Sequence, residues 1–92
     1  MIEATQAVKI ARQFFNEIYQ DEDIQNLMLE EVVIDDDSNE WRITFGYDSH
    51  ITEEANAIFS EKVTSKTPRA YKRIHIDADE GNFKGMFSRI VG

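Results

Sequence analysis

The sequence predicts an α+β domain in which an N-terminal helix packs on a curved antiparallel sheet of about four strands. Three observations carry that class. Residues 3–20 are apolar at three- and four-residue steps, the spacing of a helix with one buried stripe. Residues 27–48 and 69–91 alternate in polarity at every second position, as half-buried strands do. Each of these two stretches is interrupted by four turn formers, Asp36-Asp37-Ser38-Asn39 and Asp79-Glu80-Gly81-Asn82.

The helix comes first in the chain. Ala4, Val8, Ala11, Phe15 and Ile18 form its stripe, and Ala7 and Phe14 widen it. Glu3, Gln6, Lys9, Arg12, Gln13, Asn16 and Glu17 fill the other side. Small side chains at 4, 7 and 11 let the helix lie close to whatever it covers. Thr5 is a candidate cap if the helix starts late. Gln20-Asp21-Glu22-Asp23 ends it in residues that prefer turns.

The first hairpin is Leu27–Asp35 with Glu40–Asp48. Closing it at 36–39 sets Ile34 against Trp41, Val32 against Ile43, Glu30 against Phe45 and Met28 against Tyr47. Val33 then meets Arg42, and Glu31 meets Thr44, on the wet face. A slip of one residue would scatter both sets, so the pattern itself argues for this register. The second hairpin is Arg69–Ala78 with Phe83–Val91. Closing it at 79–82 pairs Ala78 with Phe83, Ile76 with Gly85 and Ile74 with Phe87, and on the other face Asp77 with Lys84 and His75 with Met86. Residues 49–68 read in two ways, as a short helix over 52–62 or as a long connection anchored by Ile58 and Phe59. Thr64 to Pro68 reads as loop, because Pro68 has no N–H to donate.

Ninety-two residues suit one domain, taken here as 1–92. With 41% hydrophobic and 30% charged residues the chain has an ordinary globular balance. There is no cysteine, which excludes disulfides, thiolate catalysis and cysteine-held metals. No signal peptide or membrane-length apolar run is present, so the expected compartment is the cytoplasm, with no membrane partner. The net charge of −8 disfavours nucleic acid. That charge is uneven: residues 1–61 hold fifteen acids and three Lys/Arg, whereas 62–92 hold three acids and seven Lys/Arg. The basic last third is a candidate patch for an acidic partner. The plainer alternative is that it balances acidic strands of the same sheet.

The segment Ile74-His75-Ile76-Asp77-Ala78-Asp79-Glu80-Gly81-Asn82-Phe83 resembles the closing hairpin of PepSY-type domains, in which alternating apolar residues lead to Asp-Ala, a short glycine turn and a returning strand. The alanine-spaced helix and Trp41-Arg42-Ile43-Thr44-Phe45 are similar to earlier elements of that family, and the plan of a helix in a curved sheet resembles the cystatin-like class. The resemblance implies a non-enzymatic domain that contacts or regulates peptidases. The chain departs from the pattern in lacking an export signal, the Gln-rich hairpin and the glycine-bearing N-terminal segment of cystatins.

Residue chemistry gives no catalytic constellation. Asp77, Asp79, Gly81 and Asn82 fail the calcium-loop spacing, since the sixth and twelfth positions from Asp77 are Asn82 and Ser88. Asp35-Asp36-Asp37 reads as a solvated turn. His50 and His75 lack metal-ligand spacing, and no Gly-x-Ser-x-Gly elbow or phosphate loop occurs. An enzyme would need Glu30 beside His75, and the expected register sets them on opposite faces. No cofactor is expected. Glu30 is the one polar residue expected on the apolar face; burial there would raise its pKa, and the plainer placement is at the sheet margin.

The expected function is therefore a non-catalytic protein-interaction module, bound to another protein or to its own copy as a homodimer. Tyr71, Lys72, Arg73, Lys84 and Arg89 form the expected partner surface, because Tyr and Arg are enriched at interface anchors. The alternative is a small-ligand binder with a cleft between helix and sheet lined by Glu30, Trp41, Phe45, Tyr47 and Phe87.

Overall fold

The computed structural model describes residues 1–48 and 69–88. Its elements are α1 (Ala4–Ile18), β1 (Gln25–Asp35), β2 (Glu40–Asp48), β3 (Arg69–Asp77) and β4 (Phe83–Ser88). The strands form one antiparallel sheet in the order β1-β2-β3-β4, with α1 packed on one face. The α+β class expected from the residue pattern is the class found. The expectations for residues 52–62, for 64–68 and for the end of the last strand at 89–91 lie outside the described residues.

Apolar spacing explains how α1 packs. Ala7 and Ala11 are fully buried and bring the helix axis close to the sheet, and Phe15 fills the space beyond them. The Phe15 ring lies 5.7 Å from Phe45 and 5.5 Å from Tyr47, centroid to centroid. Ile43, Phe45, Ile74 and Ile76 complete this layer, each with no exposed surface. A phenylalanine buried in this way is worth about 3–5 kcal/mol against alanine. Ile18 departs from its expected place and is 47% exposed. The helix stops there, and Tyr19 turns in instead, stacking 4.7 Å from Phe15 and 6.0 Å from Tyr47. Thr5 is not the cap; Glu3 holds that position, without a side-chain bond.

The first hairpin keeps its expected register from Glu31–Thr44 to Asp35–Glu40, and then a bulge at Glu30 shifts it. Leu29, not Glu30, faces Phe45, and Met28 faces Gly46 rather than Tyr47. The bulge turns the Glu30 carboxylate onto the face away from the helix. The second hairpin also departs from expectation. Ile74 pairs with Met86, His75 with Gly85 and Arg73 with Phe87, and a further shift near the turn sets Ile76 against Phe83. Phe87 consequently lies on the helix-free face, and Met86 takes its place in the core. Lys84 does not pair with Asp77, whose carboxylate accepts the Glu80 backbone N–H at 2.7 Å.

The two turns are tied to one another and to the N-terminus. Ala78 N–H donates to the Asn39 carbonyl at 3.0 Å, and the Asn39 side-chain amide donates to Asp79 at 2.8 Å. Ile2 N–H donates to the Ala78 carbonyl at 2.7 Å, and the Trp41 indole donates to the Ile2 carbonyl at 3.2 Å. Gly81 adopts φ +77°, a left-handed conformation that costs glycine little. A Cβ there would also lie 3.0 Å from Ile10 Cδ1.

Candidate functional site

The register settles which side chains share the face opposite α1, helix-free among the described residues. From β1 come Met28, Glu30, Glu31, Val33 and Asp35; from β2, Glu40, Arg42, Thr44, Gly46 and Asp48. From β3 come Arg69, Tyr71, Arg73, His75 and Asp77, with Gly85 and Phe87 from β4. Lys84, at the irregularity of β4, reaches the same face through its contact with Glu40. Two charge clusters occupy the two ends of this face.

The first centres on Glu40, which is only 5% exposed. Its carboxylate accepts Arg42 Nε at 2.9 Å, His75 Nδ1 at 2.8 Å and Lys84 Nζ at 3.1 Å. Burial alone would raise the Glu40 pKa; the hydrogen bonds from Arg42 and Lys84 outweigh it and hold the group below its usual value. Burial lowers the His75 pKa, and the nearby positive charges of Arg42 and Arg73 add to the effect against the pull of Glu40. Neutral His75 then donates from Nδ1 to Glu40 and leaves Nε2 bare. That atom is buried and has no hydrogen-bond partner among the described residues, while the Phe87 ring lies over the imidazole at 4.7 Å. This arrangement joins β2, β3 and β4 through one carboxylate. With three donors already on it, Glu40 has little capacity left to take a substrate proton.

The second cluster is built over Gly46. Arg69 bonds Asp48 at 2.9 Å and Glu30 at 3.3 Å, and reaches the Asn26 carbonyl at 3.3 Å. A Cβ on Gly46 would fall 2.6 Å from the Glu30 carboxylate and 2.9 Å from both Arg69 and the Tyr71 ring. Glycine is what allows these three side chains to cross the strand. Glu30 is exposed at the sheet margin rather than buried in the core. Contrary to the expected register, Glu30 and His75 share a face. They are held apart across the sheet, because Glu30 lies between the rows of Phe45–Lys72 and Thr44–Arg73, two strands away from His75 and two to three residues from it along the strands.

No family model, curated protein or solved structure matches this chain. The assignment of a site therefore rests on the geometry alone.

Of the expected partner surface, the structure brings together Tyr71, Arg73 and Lys84 on the helix-free face. Lys72 does not join them: it lies opposite Phe45, on the helix side, and donates to Ser88 Oγ at 2.7 Å. Arg89 lies outside the described residues. Phe87, expected in a cleft, belongs instead to this open face, where it is 50% exposed. Of the expected cleft, Trp41, Phe45 and Tyr47 do line the helix side. Phe45 and Tyr47 pack directly against Phe15 of α1, while Trp41 holds the Ile2 carbonyl, and burial with help from Tyr19 pushes the Tyr47 phenol up to about 12. An open hollow of about 420 Å³ lies against Lys9, Arg12, Gln13, Asn16, Glu17 and Gln20, and shares none of the cleft residues.

Glu40 was missed from sequence because its importance depends on which strand lies beside β2. The alternation of β2 and β3 assigns faces within each strand but does not align one strand with the other. Among the described residues no group of three or more His, Asp or Glu is placed to hold a metal ion. No helix among them is long and apolar enough to cross a membrane.

Proposed function

We propose that this protein is a non-catalytic interaction module whose helix-free face pairs with the same face of a second copy. The observation that carries this reading is the division of that face into two complementary halves. Along β1 lie Glu30, Glu31 and Asp35 with exposed Met28 and Val33; along β3 and β4 lie Arg69, Arg73 and Lys84 with Tyr71, one acid (Asp77) and exposed Phe87. One copy satisfies part of this charge on its own through Glu30–Arg69, Asp35–Arg42 and Lys84–Glu40. A half-turn about an axis parallel to the strands sets the acidic, apolar half of one copy over the basic, aromatic half of the other. Such a contact is isologous and closes on itself. The resemblance to PepSY-type domains, which are non-enzymatic, supports the same class of function.

The area available sets the strength. Four strands about 4.8 Å apart, contributing six to eleven residues each at about 3.3 Å, give on the order of 550 Å² per copy. The total falls near the lower bound of specific interfaces, about 1,000 Å². The expected state is thus a weak monomer–dimer equilibrium. The net charge of −8 on each copy opposes association, so the measurement belongs at physiological salt, where the Debye length is about 8 Å.

Sedimentation velocity from micromolar to millimolar protein should show mass rising toward the dimer. Arg73→Glu and Phe87→Ala should each shift the chain toward monomer without lowering its melting temperature greatly. A strict monomer at millimolar concentration would overturn the reading.

A further inference from the structure

Two buried side-chain polar atoms have no hydrogen-bond partner among the described residues, Arg73 Nε and His75 Nε2, and both border Phe87. Arg73 lies directly opposite Phe87 across β3 and β4. The Phe87 ring leans back over Gly85 onto the imidazole, 4.7 Å away between centroids. Glycine makes that lean possible, since a Cβ at 85 would fall 3.0 Å from ring atoms Cε2 and Cζ. Little ties the ring down. Phe87 is 50% exposed and stands next to the last residue of β4.

A proton on His75 upsets this arrangement. Nδ1 already donates to Glu40, so the added hydrogen goes to Nε2, where no acceptor stands among the described residues. An unmet buried donor is unfavourable, and a charged one more so. The surrounding charges do not relieve it. From β2 the imidazole faces Glu40 and Arg42, with Asp35 of β1 drawn onto Arg42; from its own strand, Arg73 and Asp77; from β4, Lys84. Glu40 is already shared by three donors, and the Asp77 carboxylate is turned to the Glu80 N–H. The helix α1 lies on the other face of the sheet.

We infer that Phe87 is a proton-released cap: when His75 takes up a proton, the ring leaves the imidazole and water reaches Nε2–H. Rotation about the side-chain bonds of Phe87 is enough, and for an exposed residue such rotations are fast. The lowering of the His75 pKa by burial agrees with a ring that covers the neutral form. Phe87 also belongs to the face proposed for pairing, so its release changes that surface. The inference itself concerns a single copy and does not rest on the dimer.

The test is a pH titration of the full chain by NMR, with ¹³C-labelled phenylalanine and histidine, at a concentration where sedimentation shows monomer. At pH 7.5 the Phe87 ring should give nuclear Overhauser contacts to the His75 imidazole and to the Gly85 Hα atoms. These should fade at the midpoint of His75 itself, while the Phe15–Phe45 contacts of the core persist. Phe87→Ala uncovers Nε2, so the His75 midpoint should rise toward the ordinary 6.5. The inference is overturned if the Phe87 contacts survive once His75 is fully charged, or if Phe87→Ala leaves the midpoint where it was. It is also overturned if His75 gains its proton only as the Phe15–Phe45 contacts are lost, because the charge would then be admitted by unfolding and not by the ring.

Discussion

His75 and Glu40 show how a single contact sets the acid response of this fold. His75 titrates below its usual 6.5 because burial disfavours the imidazolium, so the unfolded chain takes up that proton first. Stability linked to His75 is therefore complete above about pH 6.5 and is lost as pH falls through that value toward the folded pKa. Glu40, held below its usual value, adds a loss at more acid pH. The urea midpoint should fall between pH 7.5 and 5.5. His75→Asn offers an amide donor to Glu40 in place of Nδ1 and does not titrate, so its midpoint should stay flat across the same range. A flat profile for the unaltered chain would remove the account. Little of this cluster was legible in sequence. Glu30 drew attention because alternation put it opposite Phe45, and a one-residue bulge, which no local residue type announces, moved it out. Glu40 stands at a strand start, and only the β2–β3 register reveals the three donors around it.

Among the elements, the helix and the first hairpin were readable because their periods are strict and their turn is made of four residues with short polar side chains. Faces and register held wherever the ladder is regular, over Glu31–Asp35 and Glu40–Thr44. The second hairpin was legible in its strands and its turn, but not in its pairing. Its glycine turn is looser than a simple closure implies, with Asp77 N–H donating to the Asn82 carbonyl and Gly81 N–H to the Asp77 carbonyl. The resulting shift exchanges Met86 and Phe87 between faces, which moved an aromatic from the expected cleft to the expected partner surface. Gly81→Ala tests that turn. It imposes a left-handed φ on an L-residue and brings Cβ against Ile10, so a loss of about 1–2 kcal/mol is expected from urea unfolding. An unchanged midpoint would show that the turn adopts another conformation at little cost.

At the scale of the whole molecule, among the described residues α1 covers one face of the sheet and the other face carries the ion pairs. The sheet order is that of two hairpins laid side by side, and nothing in either hairpin alone dictates which strands become neighbours. The corner where both turns meet the N-terminus closes contacts between residues 2, 39, 41 and 78, across most of the sequence. This corner gives the protein a built-in optical gauge. Its single tryptophan, Trp41, holds the Ile2 carbonyl through the indole N–H. Removing residues 1–3 should red-shift the emission and make it more accessible to iodide, while far-ultraviolet circular dichroism keeps the signature of helix and sheet. Emission that ignores the truncation would mean that the indole does not sense the leading residues, and detachment of that segment would then need another reporter.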